Sequence, residues 1–273
     1  MTETGVTQFK KALKKIKARK FRKAIELFEK TLNGNIEHQS IVLPETRVKI
    51  NEWEFLDQIS QCEKEIQNGS ESFNAYYALV LLFKITDNHE RRKKYLEKAI
   101  SMDEEQAKAW REIGEVYLHQ GKMKKALKHF FQAATLDAHD PLAYEGMALS
   151  YFYLDDPMNA ITPLRKAIEL DPDNPILLHR LAYVLTELGK LEEAKEHIIK
   201  CLKIDDSKIP YWDTYACILF LEENYREALE VFEKILSQNP KDSEVSWDIL
   251  TQVYKVFGMH ARAKITRNKL DFT

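Results

Sequence analysis

The sequence contains no Gly-rich phosphate loop, no GxSxG elbow, no HExxH pair and no CxxC pair. The motif-bearing nucleotide hydrolases, serine hydrolases, zincins and thiol oxidoreductases are therefore not indicated. Its three cysteines, Cys62, Cys201 and Cys217, have neither metal-ligand spacing nor the even count of a disulfide framework, which fits reduced thiols in a cytoplasmic setting. Glycine and proline are scarce, at eight each, so long flexible or collagen-like stretches are excluded. No apolar run approaches the roughly 18 residues that a membrane span needs, and residues 1–10 lack the apolar core of a signal peptide. The eight histidines are scattered; His129 and His197 fall on expected second helices at positions that should face solvent. The acid groups Asp103-Glu104-Glu105, Asp155-Asp156 and Asp171/Asp173 fall in expected turns, where carboxylates cap the next helix, and the ligand order of a calcium loop is missing. No catalytic set, metal site or cofactor is expected.

What the chain does have is a ladder. Tyr76, Trp110, Tyr144, Leu178 and Trp212 stand 34 residues apart. Trp110, Ile113, Gly114, Tyr117, Ala126, Phe130 and Ala133 recur as Tyr144, Met147, Ala148, Tyr151, Ala160, Leu164 and Ala167. They recur again as Leu178, Leu181, Ala182, Leu185, Ala194, Ile198 and Cys201, and then as Trp212, Tyr215, Ala216, Leu219, Ala228, Phe232 and Ile235. A fixed period of this length means stacked supersecondary units, and such arrays usually work as binding surfaces.

Within each unit the spacing is helical. Trp110, Ile113, Gly114 and Tyr117 fall on one face of a first helix, and Ala126, Phe130 and Ala133 on one face of a second. Gly121, Gly189 and Gly258 supply the turn between helices, a place filled elsewhere by Asp87, Asp155 and Glu223. Glycine suits it because positive φ carries no Cβ clash. Pro141, Pro175 and Pro210 open first helices, where a missing N–H costs little, while Pro172 and Pro240 stop second helices. The small residues let paired helices approach, and the bulky ones fill the space between units; removing one buried aromatic should cost roughly 3–5 kcal/mol. Pro163 conflicts with this pattern, since it removes a hydrogen bond inside the expected helix 157–170.

This spacing and residue set resembles the tetratricopeptide-repeat family. The resemblance covers residues 73–242 as five units, starting at Phe73, Ala107, Pro141, Pro175 and Ile209, with Arg92 in the first standing where alanine is usual. Residues 243–273 form a truncated sixth unit or cap, carrying Trp247, Leu250, Tyr254, Gly258 and Ala263. Residues 1–38 are expected to be a divergent basic helix pair, and residues 39–72 a linker followed by a long helix over 44–67. The implied fold is all-α: a right-handed α-solenoid of antiparallel helix pairs. The implied function is that of a non-enzymatic scaffold or adaptor holding a partner peptide or helix in a concave groove.

Carried over position by position, the resemblance places Tyr77 and Leu81, then Arg111, Glu115 and Leu118, then Glu145, Leu149 and Phe152 along that groove. His179, Tyr183 and Thr186 follow, then Asp213, Cys217 and Phe220, and finally Asp248, Gln252 and Lys255. Each set shares one helical stripe. Leu81, Leu149, Phe152, Tyr183 and Phe220 make the stripe more apolar than a solvated face, as partner sites often are. The bland alternative is that these side chains pack against the neighbouring first helix or against helix 44–67. Some family members grip a chaperone's C-terminal carboxylate through Asn, Lys and Arg; the corresponding places here hold Leu81, Glu115, Leu149 and Tyr183, so that clamp is not expected. The acids Glu115, Glu145, Asp213 and Asp248 point instead to a partner with apolar anchors and some Lys/Arg.

Charge is uneven. Residues 1–32 hold ten Lys/Arg against three acids, a net +7, in a chain whose overall charge is −2. The basic helices could attract nucleic acid or anionic lipid, which makes a nucleic-acid-binding accessory protein the alternative function. Against it, Phe9 and Phe21 are the segment's only interleaved aromatics within the basic run, and the inward side supplied by Phe9, Leu13, Ile16 and Phe21 makes a plain solvated face the simpler account. Self-association through a terminal face is a third reading.

Overall fold

Most of the described helices in the computed structural model begin within a turn of a signal already visible in the sequence: a proline, a glycine turn or a capping side chain. The structure describes residues 3–18, 20–33, 60, 63–64, 66, 68, 71–85, 87–238, 240–241 and 244–270. Among them the secondary structure is helical: α1 (Glu3–Lys17), α2 (Phe21–Asn33), α3 (Phe73–Ile85), α4 (His89–Met102), α5 (Ala107–His119), α6 (Met123–Leu136) and α7 (Pro141–Phe152). They continue as α8 (Pro157–Leu170), α9 (Pro175–Glu187), α10 (Leu191–Ile204), α11 (Ile209–Leu221), α12 (Tyr225–Ser237), α13 (Trp247–Val256) and α14 (His260–Leu270). Contacts divide the chain into two units, Met1–Leu154 and Asp155–Thr273. The expected linker and most of the 44–67 helix lie outside the described residues; of that helix, Ile66 is buried and Glu63 accepts a 2.8 Å hydrogen bond from Tyr95 Oη.

The turns follow one chemical rule. Gly121, Gly189 and Gly258 have φ of 69°, 69° and 68°, and Asp87, Asp155 and Glu223 take the same left-handed conformation at 55°, 61° and 62°. After α11, the Asn224 N–H reaches Leu219 O at 2.8 Å and the Glu223 N–H reaches Phe220 O at 3.0 Å. These bonds satisfy carbonyls that the helix end would leave unpartnered. Side-chain caps open other helices: Asn88 Oδ1 takes the Arg91 N–H, Asp140 Oδ1 the Leu142 N–H and Asn174 Oδ1 the Ile176 N–H, each at 3.0 Å.

In the first unit α1 and α2 pair through Phe9 and Phe28, whose ring centres lie 5.7 Å apart. Phe130 of α6 is fully buried against two glycines. A Cβ on Gly146 would stand 2.3 Å from its ring, and one on Gly114 3.0 Å, so the close helix approach at Gly146 depends on the absence of a side chain. His129 departs from the expected solvent-facing position. Its ring stacks between Trp110 at 5.6 Å and Tyr117 at 5.1 Å, because aromatic faces bury a neutral imidazole well.

In the second unit α8 runs unbroken through Pro163. The bond lost is the one to the carbonyl of Asn159, an exposed residue that water can serve, so the cost falls at the first turn of the helix. Ala194, Ile198, Cys201, Ala228, Phe232 and Ile235 are fully buried. The ladder tryptophans also share a tether. Trp212 Nε1 donates to Asp206 O at 2.8 Å, as Trp110 Nε1 in the first unit donates to Glu104 O at 2.8 Å.

Candidate functional site

Helix periodicity puts the expected partner-facing residues on first helices in both units, but their surroundings differ. In the first unit α3 is apolar almost all round, and Phe73, Ile85 and every residue from Ala75 to Phe83 are buried. Tyr77 and Leu81 therefore belong to the core, in one cluster with Leu149 and with half-buried Leu118 and Trp110. Glu115 and Glu145 are buried too. Arg111 and Phe152 are half-buried.

Charge inside this unit is organised as a network that the single position Arg92 had only hinted at. The Arg92 side chain is fully buried. Its Nη2 pairs with Glu112 and, at 2.6 Å, with Glu115 Oε2. Lys84 Nζ lies 2.8 Å from Glu112 Oε1 and 2.9 Å from Glu115 Oε2. Arg111 donates to Glu115 Oε1 at 3.1 Å and to Asp140 Oδ2 at 2.8 Å, the same Asp140 that caps α7. Burial pushes the Glu112 and Glu115 carboxyls up, and in Glu115 the neighbouring Glu112 adds to that push. Arg92, Lys84 and Arg111 outweigh these effects and hold both groups below the usual carboxylate range. The network ties α3, α4, α5 and the start of α7 together.

The second unit presents a different face. Tyr183 on α9 is 43% exposed. On α11, Phe220 and Cys217 are half-buried, and the Phe220 ring lies 5.5 Å from that of Tyr225. Burial, with Asp213 next, pushes the Cys217 thiol up to about 12, so it is an unreactive apolar contact at neutral pH. Asp213 accepts from the Ser246 N–H at 2.8 Å and from Ser246 Oγ at 2.7 Å; burial raises its pKa while these bonds lower it. His179 packs against Tyr211 at 4.8 Å and sits 2.9 Å from Thr214 Oγ1. Burial, then Arg180, pushes its imidazole down to about 4.

Two apolar side chains that extend this stripe, and Phe257 just past the end of α13, were missed by the sequence reading. Leu221, Val256 and Phe257 are 46%, 53% and 41% exposed. Leu221 and Val256 stand one helical turn beyond Cys217 and Gln252, so extending the same i, i+4 stripe by a turn would have found them. Among the described residues no group of three His, Cys, Asp or Glu is placed to hold a metal ion, and no helix is long and apolar enough to cross a membrane.

Tetratricopeptide-repeat family models match residues 73–106, 93–141 and 147–252. The chain belongs to the tetratricopeptide-repeat family. Among the relatives of this repeat protein, Hsp70-Hsp90 organizing protein 3 of Arabidopsis thaliana is 24% identical over 231 residues, covering 82% of this chain and 35% of that protein. A TPR repeat-containing protein of Methanocaldococcus jannaschii is 21% identical over 248 residues, covering 86% of this chain and 42% of that protein. The chain thus spans less than half the length of either curated relative. The solved structure of YrrB, a TPR protein with an unusual peptide-binding site, aligns with a TM-score of 0.57 at 22% identity, over 64% of this chain and 90% of that one. Similarity at this level shows the fold, an all-α solenoid of antiparallel helix pairs.

Proposed function

We propose that this repeat protein is a non-enzymatic protein–protein interaction scaffold of the cytoplasm, holding a partner peptide or helix on the first-helix face of its second unit. The observation that carries the reading is Tyr183, an exposed aromatic whose counterpart 34 residues on is half-buried Cys217 of α11, with half-buried Phe220 and exposed Leu221 one turn further along that helix. Large aromatic side chains in such positions are the usual anchors of an interface. His179 and Asp213, fastened to Thr214 and Ser246, hold this face preorganised, which lowers the entropy lost on binding. Asp213, Asp248 and Glu187 favour a partner that carries Lys/Arg beside its apolar anchors, acting mainly on orientation and association rate.

In the first unit the corresponding reading narrows. Tyr77, Leu81, Glu115, Glu145 and Leu149 are buried, which leaves half-buried Arg111, Leu118 and Phe152 as the residues a partner could touch. Family membership and the peptide-binding site of YrrB support a protein ligand. The name of the plant relative does not extend to chaperone tails here, because the clamp positions hold Leu81, Glu115, Leu149 and Tyr183.

The test is capture of partners from native lysate by the full chain and by Tyr183→Ala/Phe220→Ala. Loss of a salt-resistant protein with helicity retained is expected; the same protein captured equally by both forms would sink the second-unit site.

A further inference from the structure

The basic N-terminal pair carries a feature that the ladder does not explain. The first turns of two helices open onto one cleft, lined by Lys20, Phe21, Arg22 and Lys23 from the start of α2 and by Ser72 and Asn74 from the start of α3. Helix starts are common; what sets this pair apart is the cleft between them and its unneutralised cations. Lys20, Arg22 and Lys23 are exposed, and none of them takes part in an ion pair among the described residues. The acids that adjoin the lining residues in sequence are Glu71, whose carboxylate accepts the Tyr76 hydroxyl at 2.7 Å, and Glu26, one turn further along α2; they are two against three cations. The backbone N–H groups of Phe21, Arg22, Lys23, Phe73 and Asn74 are first-turn groups with no intrahelical acceptor, and the positive ends of both helix dipoles meet there. Ser72 Oγ already takes the Ala75 N–H at 3.2 Å, so its own O–H remains a donor. Donors and positive charge thus converge on one small volume.

We propose that this cleft docks a phosphorylated segment of a protein partner, with the phosphate lying among Lys20, Arg22, Lys23 and the two helix starts. A phosphate brings nearly two negative charges and three acceptor oxygens. That matches three cations and a fan of N–H donors better than a carboxylate, with one charge and two oxygens. The occupant is a peptide rather than a membrane because, among the described side chains, none of the exposed large apolar ones lies on α1, α2 or α3, and a lipid surface holds a helix by burying such side chains. It is a peptide rather than a nucleic acid because the charge is compact. Past Lys23 the outer face of α2 turns mixed, with Glu26 exposed and Glu29 half-buried, and Phe21 is the one aromatic among the cleft's lining residues. A single-stranded nucleic acid needs a longer basic track with several stacking rings. The site uses none of the second-unit residues, so it stands or falls independently of them.

The test uses the full chain and two degenerate hexapeptide libraries, one centred on phosphoserine and one on serine, read by fluorescence polarisation. The phosphoserine library should bind about tenfold or more tightly, since the charge-assisted bonds form only with phosphate. Arg22→Gln/Lys23→Gln, at exposed positions that leave the core intact, should remove that preference, whereas Tyr183→Ala/Phe220→Ala should preserve it. Equal binding of the two libraries, or a preference that survives Arg22→Gln/Lys23→Gln, overturns the proposal. So does displacement of the phosphopeptides by oligouridylate or by phosphatidylserine vesicles that bind more tightly, which would assign the cleft to nucleic acid or to lipid.

Discussion

The two units build the same first helices from the same ladder, yet they treat the stripe beside it in opposite ways. In the first unit that stripe is used up internally: Tyr77, Leu81 and Leu149 join the core, and Glu115 is committed to Arg92, Lys84 and Arg111. In the second unit the equivalent positions stay accessible, with Tyr183 exposed and Phe220 half-buried. A repeat specifies its own helix pair, not what covers its outer stripe. The first unit has spent its polar groups on cohesion, and the second has kept its aromatic surface for something else.

The difference can be broken most forcefully at Arg92. Arg92→Ala should destabilise the first unit by about 3–5 kcal/mol, because the buried Glu112 and Glu115 would lose their fully buried partner and keep only Lys84 and Arg111 to offset their mutual repulsion. Urea unfolding combined with hydrogen exchange in α4 and α5 measures it, and a loss below about 1 kcal/mol would show that the network is incidental. Replacing the whole network by apolar residues is a separate matter, since buried ion pairs often contribute little beyond an apolar equivalent.

Acid separates the units next. His179 has a folded-state value of about 4 against 6.5 when unfolded. The unfolded chain therefore binds more protons between those values, and stability is complete above about pH 6.5 and lost as pH falls toward 4. Up to about 3 kcal/mol is at stake at this residue. Glu112 and Glu115 are held low, so their contribution is present above the ordinary carboxylate value near 4.3 and is lost only as pH falls below it. Exchange in α9 and α11 should thus rise at milder acidity than exchange in α4 and α5, and His179→Gln should flatten the response of the second unit between pH 6.5 and 4.5. Simultaneous opening of both regions would remove the distinction.

The smallest effect lies in the turns. Glu223→Gly should raise stability by roughly 0.5–1 kcal/mol, since a left-handed L-residue is strained and glycine is not, less the added entropy of the unfolded chain. A shift in thermal midpoint reads it, and a decrease would mean that the Glu223 side chain has a compensating role.

Legibility divided along the same line. The 34-residue period, the helix faces, the turn positions and the proline starts were all readable from residues such as Trp110, Gly121 and Pro175, because each depends on neighbours within one unit. Arg92 was visible as an intruder at a small-residue position, but its partners were not: Glu112 and Glu115 lie 20 and 23 positions away, and no local rule links them. The second-unit face was partly legible, through Tyr183 and Phe220, while Leu221 and Val256 fell one turn past the stripe.

The sequence by itself determined that this chain is a set of tetratricopeptide-type helix pairs, for periodicity and turn chemistry are local and repeat without error along most of its length. Only the tertiary structure decided which copies of a repeating position are buried and which are exposed, that the cations of α3, α4 and α5 share two carboxylates, and that the starts of α2 and α3 meet. Those outcomes depend on which surfaces come within a few ångströms of one another, and a residue's chemistry takes effect only once that neighbourhood exists.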